Sequence, residues 1–384
     1  MLLVMMLNTL GFGVIVPLLP FYARSFDAPT WQIGLLFSAW AVGAFFGELV
    51  WGRLSDRIGR KPVLVFTLAA NCACVLAVAF APSIVIATLI RFLGGVVGGN
   101  SAVVSGYIAD VTPVAQRTGR LGLLGAAYHF GYMFGPGLGG LLARPEIGTA
   151  GFRLPLLVAA GLMALAAMLI LILLRESRAH ADRPTGHESP WIAARASLQD
   201  PVIGPLILLT FIVGVAFNGF ESMFGFWAVD RYAWSTAAIG YCFTASAVAS
   251  TVALLLITGP LSRRFGEANM LAFGNAVMMV CLLAQPFSPN WPVMVILMAL
   301  MSTGAALANP NATSLVSRAA GPDRQGQTLG LKNAIDSLSR LVGPQLALAL
   351  FAWMPDAPFF VNAAITAPTV VLALLVGRHL RWRG

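Results

Sequence analysis

The sequence predicts an all-α integral membrane protein, with twelve transmembrane helices in two pseudo-symmetric six-helix bundles. Three observations carry this. The 384 residues are 58% hydrophobic and only 10% charged, where soluble domains carry about 25% charge. The mean hydropathy of +0.82 is more apolar surface than a soluble core of this size can hide. Finally, two halves of the chain resemble each other at a fixed offset.

An apolar stretch of about 20 residues crosses a bilayer as a helix. The first, 1–22, has neither a basic lead nor a small-residue cleavage site, so it reads as a span and not as a signal peptide. The next five fall at 32–53, 62–81, 84–109, 120–143 and 154–174. A polar connection, 175–200, follows and includes Arg175, Arg178, Arg183 and Arg195. The second set falls at 201–227, 237–259, 269–287, 291–317, 328–353 and 358–377. The chain therefore divides into an N-terminal bundle (1–174), a cytoplasmic linker (175–200) and a C-terminal bundle (201–384).

Orientation follows from the basic residues. With the linker in the cytoplasm, 18 of the 24 Lys and Arg flank spans on that side and 4 on the other. Both termini are then cytoplasmic, as expected of a multi-pass protein of a bacterial inner membrane. The net charge of +9 is accounted for by topology, so no nucleic-acid partner is expected. Cys72, Cys74, Cys242 and Cys281 lie in apolar runs and read as buried thiols without a disulfide framework. No residues stand at metal-ligand spacing, and no metal or cofactor is expected.

The repeat is local and specific. Gly52-Arg-Leu-Ser-Asp-Arg-Ile-Gly59 recurs as Gly259-Pro-Leu-Ser-Arg-Arg-Phe-Gly266, with five of eight positions identical at an offset of 207. Leu121-Gly-Leu123 and Gly135-Pro136 recur as Leu329-Gly-Leu331 and Gly343-Pro344 at an offset of 208. Two parallel six-span repeats place a cavity at their interface near the midplane, the layout of alternating access.

Four patterns then converge. The loop after span 2 carries Gly52, Asp56, Arg57, Gly59, Arg60 and Lys61; span 4 carries Arg91 followed by Gly94, Gly95, Gly98 and Gly99. Asp110 and Arg117 follow span 4, and span 5 carries Gly131, Gly135, Pro136, Gly139 and Gly140. With the opening Gly11-Phe-Gly-Val-Ile-Val-Pro17, these motifs resemble the major facilitator superfamily over the whole chain, in particular its twelve-span drug:proton antiporters of the tetracycline-efflux type. The resemblance implies that Gly52, Asp56, Arg57, Gly59, Arg60, Asp110 and Arg117 form a conformational latch, with the acid after span 2 facing a neighbouring helix N-terminus. From the residues themselves, glycines at four-residue spacing allow close helix approach and Pro136 breaks one backbone bond. Gly131, Gly135, Pro136 and Gly139 thus read as a helix-packing hinge.

Ionisable groups at bilayer depth are costly and mark function. Here they are Glu48, Arg91, His129, Glu221, Asp336 and Arg340. Glu221 lies about 10 Å from the outer end of its span and has no basic residue within a turn, which suits reversible protonation. Lys332, Asp336 and Arg340 are spaced to share a helix face, so Asp336 is either a coupling acid or a carboxylate neutralised by Arg340. Glu48, one turn before Gly52, reads as a structural partner of the latch. The family resemblance implies an acid in span 1 facing the span 4 arginine, but Asn8 stands at that position. An amide does not exchange a proton at neutral pH, so coupling falls to Glu221 or Asp336.

These features predict a secondary transporter without enzymatic activity, a proton-coupled exporter of amphipathic compounds acting as a monomer in the lipid bilayer. Asn8, Arg91, His129, Arg340, Phe217 and Phe220 are the candidate cavity residues, their aromatics supplying a permissive apolar surface. The competing expectation is a facilitator or importer of a polar metabolite, whose anionic group Arg91, Arg340 and His129 would bind.

Overall fold

The computed structural model describes residues 1–177 and 190–383. The side chains of residues 49, 109, 114–119, 121–122, 125–126, 129, 190–194, 321–327 and 379–383 lie outside the description, as do the predicted roles of Arg117 and His129 and the middle of the linker. The described residues contain helices and no strand. Ten of the helical segments are long and apolar enough to cross a membrane, and each covers one of the twelve predicted spans. The two remaining spans, 120–143 and 328–353, lie in helix Val114–Leu142 and in the second part of helix Trp291–Trp353.

The chain forms two compact units. The first is Met1–Arg183 with Ala228–Thr244, and the second is Pro184–Trp227 with Ala245–Gly384. In the first, α1 (Leu2–Ile15) and α2 (Leu19–Arg24) form span 1, joined by a single turn over Val16–Leu18 that contains Pro17. They are followed by α3 (Thr30–Ile58), α4 (Arg60–Ala79), α5 (Ile84–Gly98), α6 (Ser101–Asp110), α7 (Val114–Leu142) and α8 (Arg153–Leu173). Helix α1 packs on α7 and α8, α3 on α5, and α4 on α8. Val4, Met5, Leu64, Leu68, Val103, Val104 and Ile170 form part of the core.

The second unit begins with α9 (Pro190–Gln199), so the end of the predicted linker is helical. It continues with α10 (Ile203–Tyr232), α11 (Thr236–Val252), α12 (Gly259–Phe265), α13 (Glu267–Ala284), α14 (Trp291–Trp353) and α15 (Ala357–Arg383); the outer end of α10 and the start of α11 belong to the first unit. Asp200 starts α10 by accepting the backbone N–H groups of Val202 (2.8 Å) and Ile203 (3.0 Å).

The backbone reproduces the sequence repeat. Gly59 (φ 104°, ψ 154°) and Gly266 (φ 87°, ψ 147°) share a conformation that side-chain-bearing residues rarely adopt, and each ends one helix and begins the next. Ser83 and Asn290, also 207 apart, cap spans 4 and 10 by accepting the amides of Ile86 and Val293.

Span 4 is discontinuous, a feature the sequence reading did not anticipate. Helix α5 ends at Gly98 and α6 starts at Ser101. The break frees backbone groups that two side chains of α3 satisfy. Trp51 Nε1 donates to the Val96 carbonyl (2.6 Å). The Glu48 carboxylate accepts from Ser101 N (3.1 Å), Ser101 Oγ (2.5 Å) and Ala102 N (3.2 Å). Glu48 is therefore the cap of a half-helix, where negative charge is favoured. Close approach makes this possible. A Cβ on Gly43, Gly47, Gly95 or Gly99 would collide with backbone of the facing helix, so two Gly-x-x-x-Gly stripes meet.

Candidate functional site

The first unit holds a buried cation. Arg91 of α5 is 6% exposed, its guanidinium lies 6.0 Å from the centre of the Phe12 ring, and its Nε has no hydrogen-bond partner. Phe12 in turn packs against Trp40 of α3 (4.8 Å between ring centres) and Tyr132 of α7 (6.4 Å). Asn8 lies one turn before Phe12 on α1, and its Oδ1 is buried without a partner. Four helices thus meet in an aromatic nest whose Phe12 ring lies beside the charge. Among the described residues no carboxylate forms an ion pair with Arg91. Trp40 and Tyr132 were not singled out by the sequence, because a lone aromatic on an apolar helix carries no signal of the face it occupies.

The loop after span 2 is organised by Arg60. This buried guanidinium pairs with Asp56 (2.8 Å) and Asp110 (3.2 Å) and donates to Ser55 Oγ (2.6 Å). Asp56 thus meets the side chain of Arg60, and the carboxylate on a helix N-terminus is Glu176, accepting from the backbone of Arg60 (2.9 Å) and Lys61 (3.1 Å). Glu176 is a residue the motif did not flag; the signal available was an acid just after span 6, where a helix start rich in cations needs an anion. Gly59 is required twice, by its positive φ and because a Cβ would strike the Glu176 carboxylate. Gly52 packs on Ala102, and Arg57 is exposed.

The predicted hinge has two faces. Gly131, Gly135 and Gly139 lie against the backbone of α1, at Met6–Leu10, Gly13 and Val14. Pro136 and Gly140 lie against Thr236 and Gly240 of α11, and Thr236 Oγ1 donates to the Gly140 carbonyl at 3.5 Å. Substituting any of these glycines would push backbones apart.

In the second unit the ion pair differs from expectation. Asp336 pairs with Lys332 (2.7 Å), which is buried, while Arg340 is exposed. Eight residues carry a straight helix about 80° past its starting face, so Arg340 leaves the face shared by the other two. Glu221 is half-buried and has an interaction partner. Phe217 is half-buried, whereas Phe220 is 1% exposed and packs on Phe224 and Phe359, which places it in the core and not on a cavity wall. Beside it Trp227 Nε1 donates to Asp356 (2.7 Å). The four cysteines are free thiols, and the described residues contain no group of metal ligands.

Comparison with known proteins bears on this arrangement. A profile of the Major Facilitator Superfamily matches residues 1–250 and 228–383. The chain is 29% identical over 352 residues to the class C tetracycline resistance protein of Escherichia coli, covering 90% of this chain and 87% of the relative. It is 24% identical over 371 residues to the quinolone resistance protein NorA of Staphylococcus aureus, covering 96% and 94%. Its fold matches a bacterial homologue of the human lysosomal transporter Spinster, in an inward-facing and occupied conformation, with a TM-score of 0.74, 16% identity, and coverage of 98% and 95%.

Proposed function

The chain belongs to the Major Facilitator Superfamily, and on that premise we propose that this membrane transporter is a proton-coupled exporter of small amphipathic compounds. The observation that carries the reading is span 5, whose glycines seat one face on α1 while Pro136 and Gly140 seat another on α11. A span packed by backbone on both sides can rock as a rigid element without opening a leak. The names of the tetracycline and quinolone resistance relatives support export of drug-like molecules.

The protein acts as a monomer in a bacterial inner membrane, with both termini cytoplasmic as the basic bias requires. Its bundles are 1–174 and 201–384, joined by the linker 175–200. The Arg60 cluster and the Asp110–Arg117 segment form the cytoplasmic latch. Asp336 is held by Lys332, so we assign proton exchange to Glu221, the other intramembrane acid put forward for coupling.

In everted vesicles a Glu221→Gln variant should lose accumulation of tetracycline driven by a pH gradient yet retain downhill exchange, since binding and rocking do not need the charge. Gradient-driven accumulation at the parental rate would remove Glu221 from the mechanism.

A further inference from the structure

We propose that Arg91 and its aromatic nest form the substrate subsite for an organic acid, so that the transported molecule carries a single carboxylate or sulfonate on an apolar, preferably aromatic, body. This rests on the exporter reading and names its substrate class. A cation held at bilayer depth is stable only when paired or hydrogen-bonded. Arg91 is 6% exposed, has no carboxylate within ion-pair distance among the described residues, and leaves Nε without an acceptor. Glu48 cannot serve, because it is fastened to Ser101 and Ala102, ten residues or about 15 Å along span 4 from Arg91.

Asn8 sharpens the point. An acid there would neutralise Arg91 within the protein and leave the site suited to a neutral or cationic ligand. An amide leaves the guanidinium charge unmatched and can turn its NH2 toward an anion, since amide orientation follows the partner present. The missing negative charge must then come from the ligand. The bidentate fork of arginine fits a planar carboxylate, and the half-buried Phe12 ring beside it, backed by Trp40 and Tyr132, suits an aromatic body. Arg340 is exposed and, among the described residues, has no ring contact.

The test uses the purified full-length chain in neutral detergent, near neutral pH, with three probes of one shape: naphthoate, its methyl ester and naphthylmethylamine. Thermal stabilisation should reach its half-maximum at about tenfold lower concentration for naphthoate than for the other two, the step of one charge-assisted hydrogen bond. Arg91→Gln should erase the preference. Arg91→Lys, which keeps the charge should the glutamine variant fail to fold, should retain it with weaker binding. Phe12→Leu should weaken all three probes and leave their order unchanged. Equal stabilisation by ester or amine, or a preference that survives Arg91→Gln, overturns the proposal. So does equal stabilisation by chloride or sulfate, which would show a site for any small anion, or by phosphatidylglycerol added to the detergent, which would show a lipid site. Vesicle flux separates this from the exporter reading: gradient-driven tetracycline export with no preference for the acid defeats the subsite alone. Acid-selective binding with no gradient-driven export of either compound defeats the exporter reading alone.

Discussion

Gly59 and Gly266 hold the same backbone conformation but stand in different surroundings. A Cβ at Gly59 would strike the Glu176 carboxylate, whereas no described residue lies within 4 Å of one at Gly266. Gly59→Ala should therefore cost the backbone strain of about 1–3 kcal/mol and also dislodge the acid that caps α4. Gly266→Ala should cost the strain alone. Melting of the two variants in detergent should rank Gly59→Ala clearly lower. For the Lys332–Asp336 pair, Lys332 is buried and Asp336 about a third exposed. Asp336→Asn should cost between the about 1 kcal/mol of an exposed pair and the about 3–5 kcal/mol of a buried one. Lys332→Met in the Asp336→Asn background should recover most of it, as read by folded yield and melting temperature. Had Arg340 been the partner, the second change would not help. The sequence reading named Arg340 as the partner, although Lys332 also lies four residues from Asp336; only the accumulated rotation of the helix against its bundle separates them.

Among elements, span 4 shows how the backbone groups freed by a break in a membrane helix are satisfied. Irregular backbone at this depth survives only where protein groups replace the lost bonds. Trp51 and Glu48, three residues apart on one face of α3, take the freed carbonyl and the freed amides. Glu48→Gln should weaken this cap by about 1 kcal/mol and speed amide exchange in residues 101–104 several-fold, while exchange in α5 stays unchanged. Uniform exchange along span 4 in the variant would mean that the break does not depend on Glu48. The glycine row after Arg91 is visible in the sequence as a packing stripe. Its facing stripe, Gly43 and Gly47, is equally visible but gains meaning only when the register of α3 against α5 is known. Glu48, at the right depth for a functional acid, could be assigned its capping role only from that register. That Phe220 lies in the core escaped the sequence for a related reason: the polar residues of α10 form no consistent face, and such a helix gives no sign of which side meets core, cavity or lipid.

Across the whole molecule, the two repeats carry the same ion pair with the charges exchanged. Arg60 begins α4 and pairs with Asp110; Glu267 begins α13 and pairs with Arg318 (3.2 Å). The positions correspond at the offsets of 207 and 208 seen in the sequence. The arginine in the first repeat sits at a positive helix start and so needs Glu176 as a supplementary cap, while Glu267 is favoured there by the dipole itself. Glu267→Arg should lower melting and yield, and Glu267→Arg with Arg318→Glu should restore much of both. A double variant no better than the single one would show that the polarity of this pair is immaterial to folding.

That exchange of sign bears on how a duplicated chain sorts itself during synthesis. The first repeat emerges while the second is still being made, and two near-copies of one helix pair could trade partners. Here a trade would set Arg60 against Arg318 and Glu267 against Asp110, like against like at both contacts. Each repeat therefore carries its own key. The exchange of sign thus makes the wrong docking the less favourable one at both contacts.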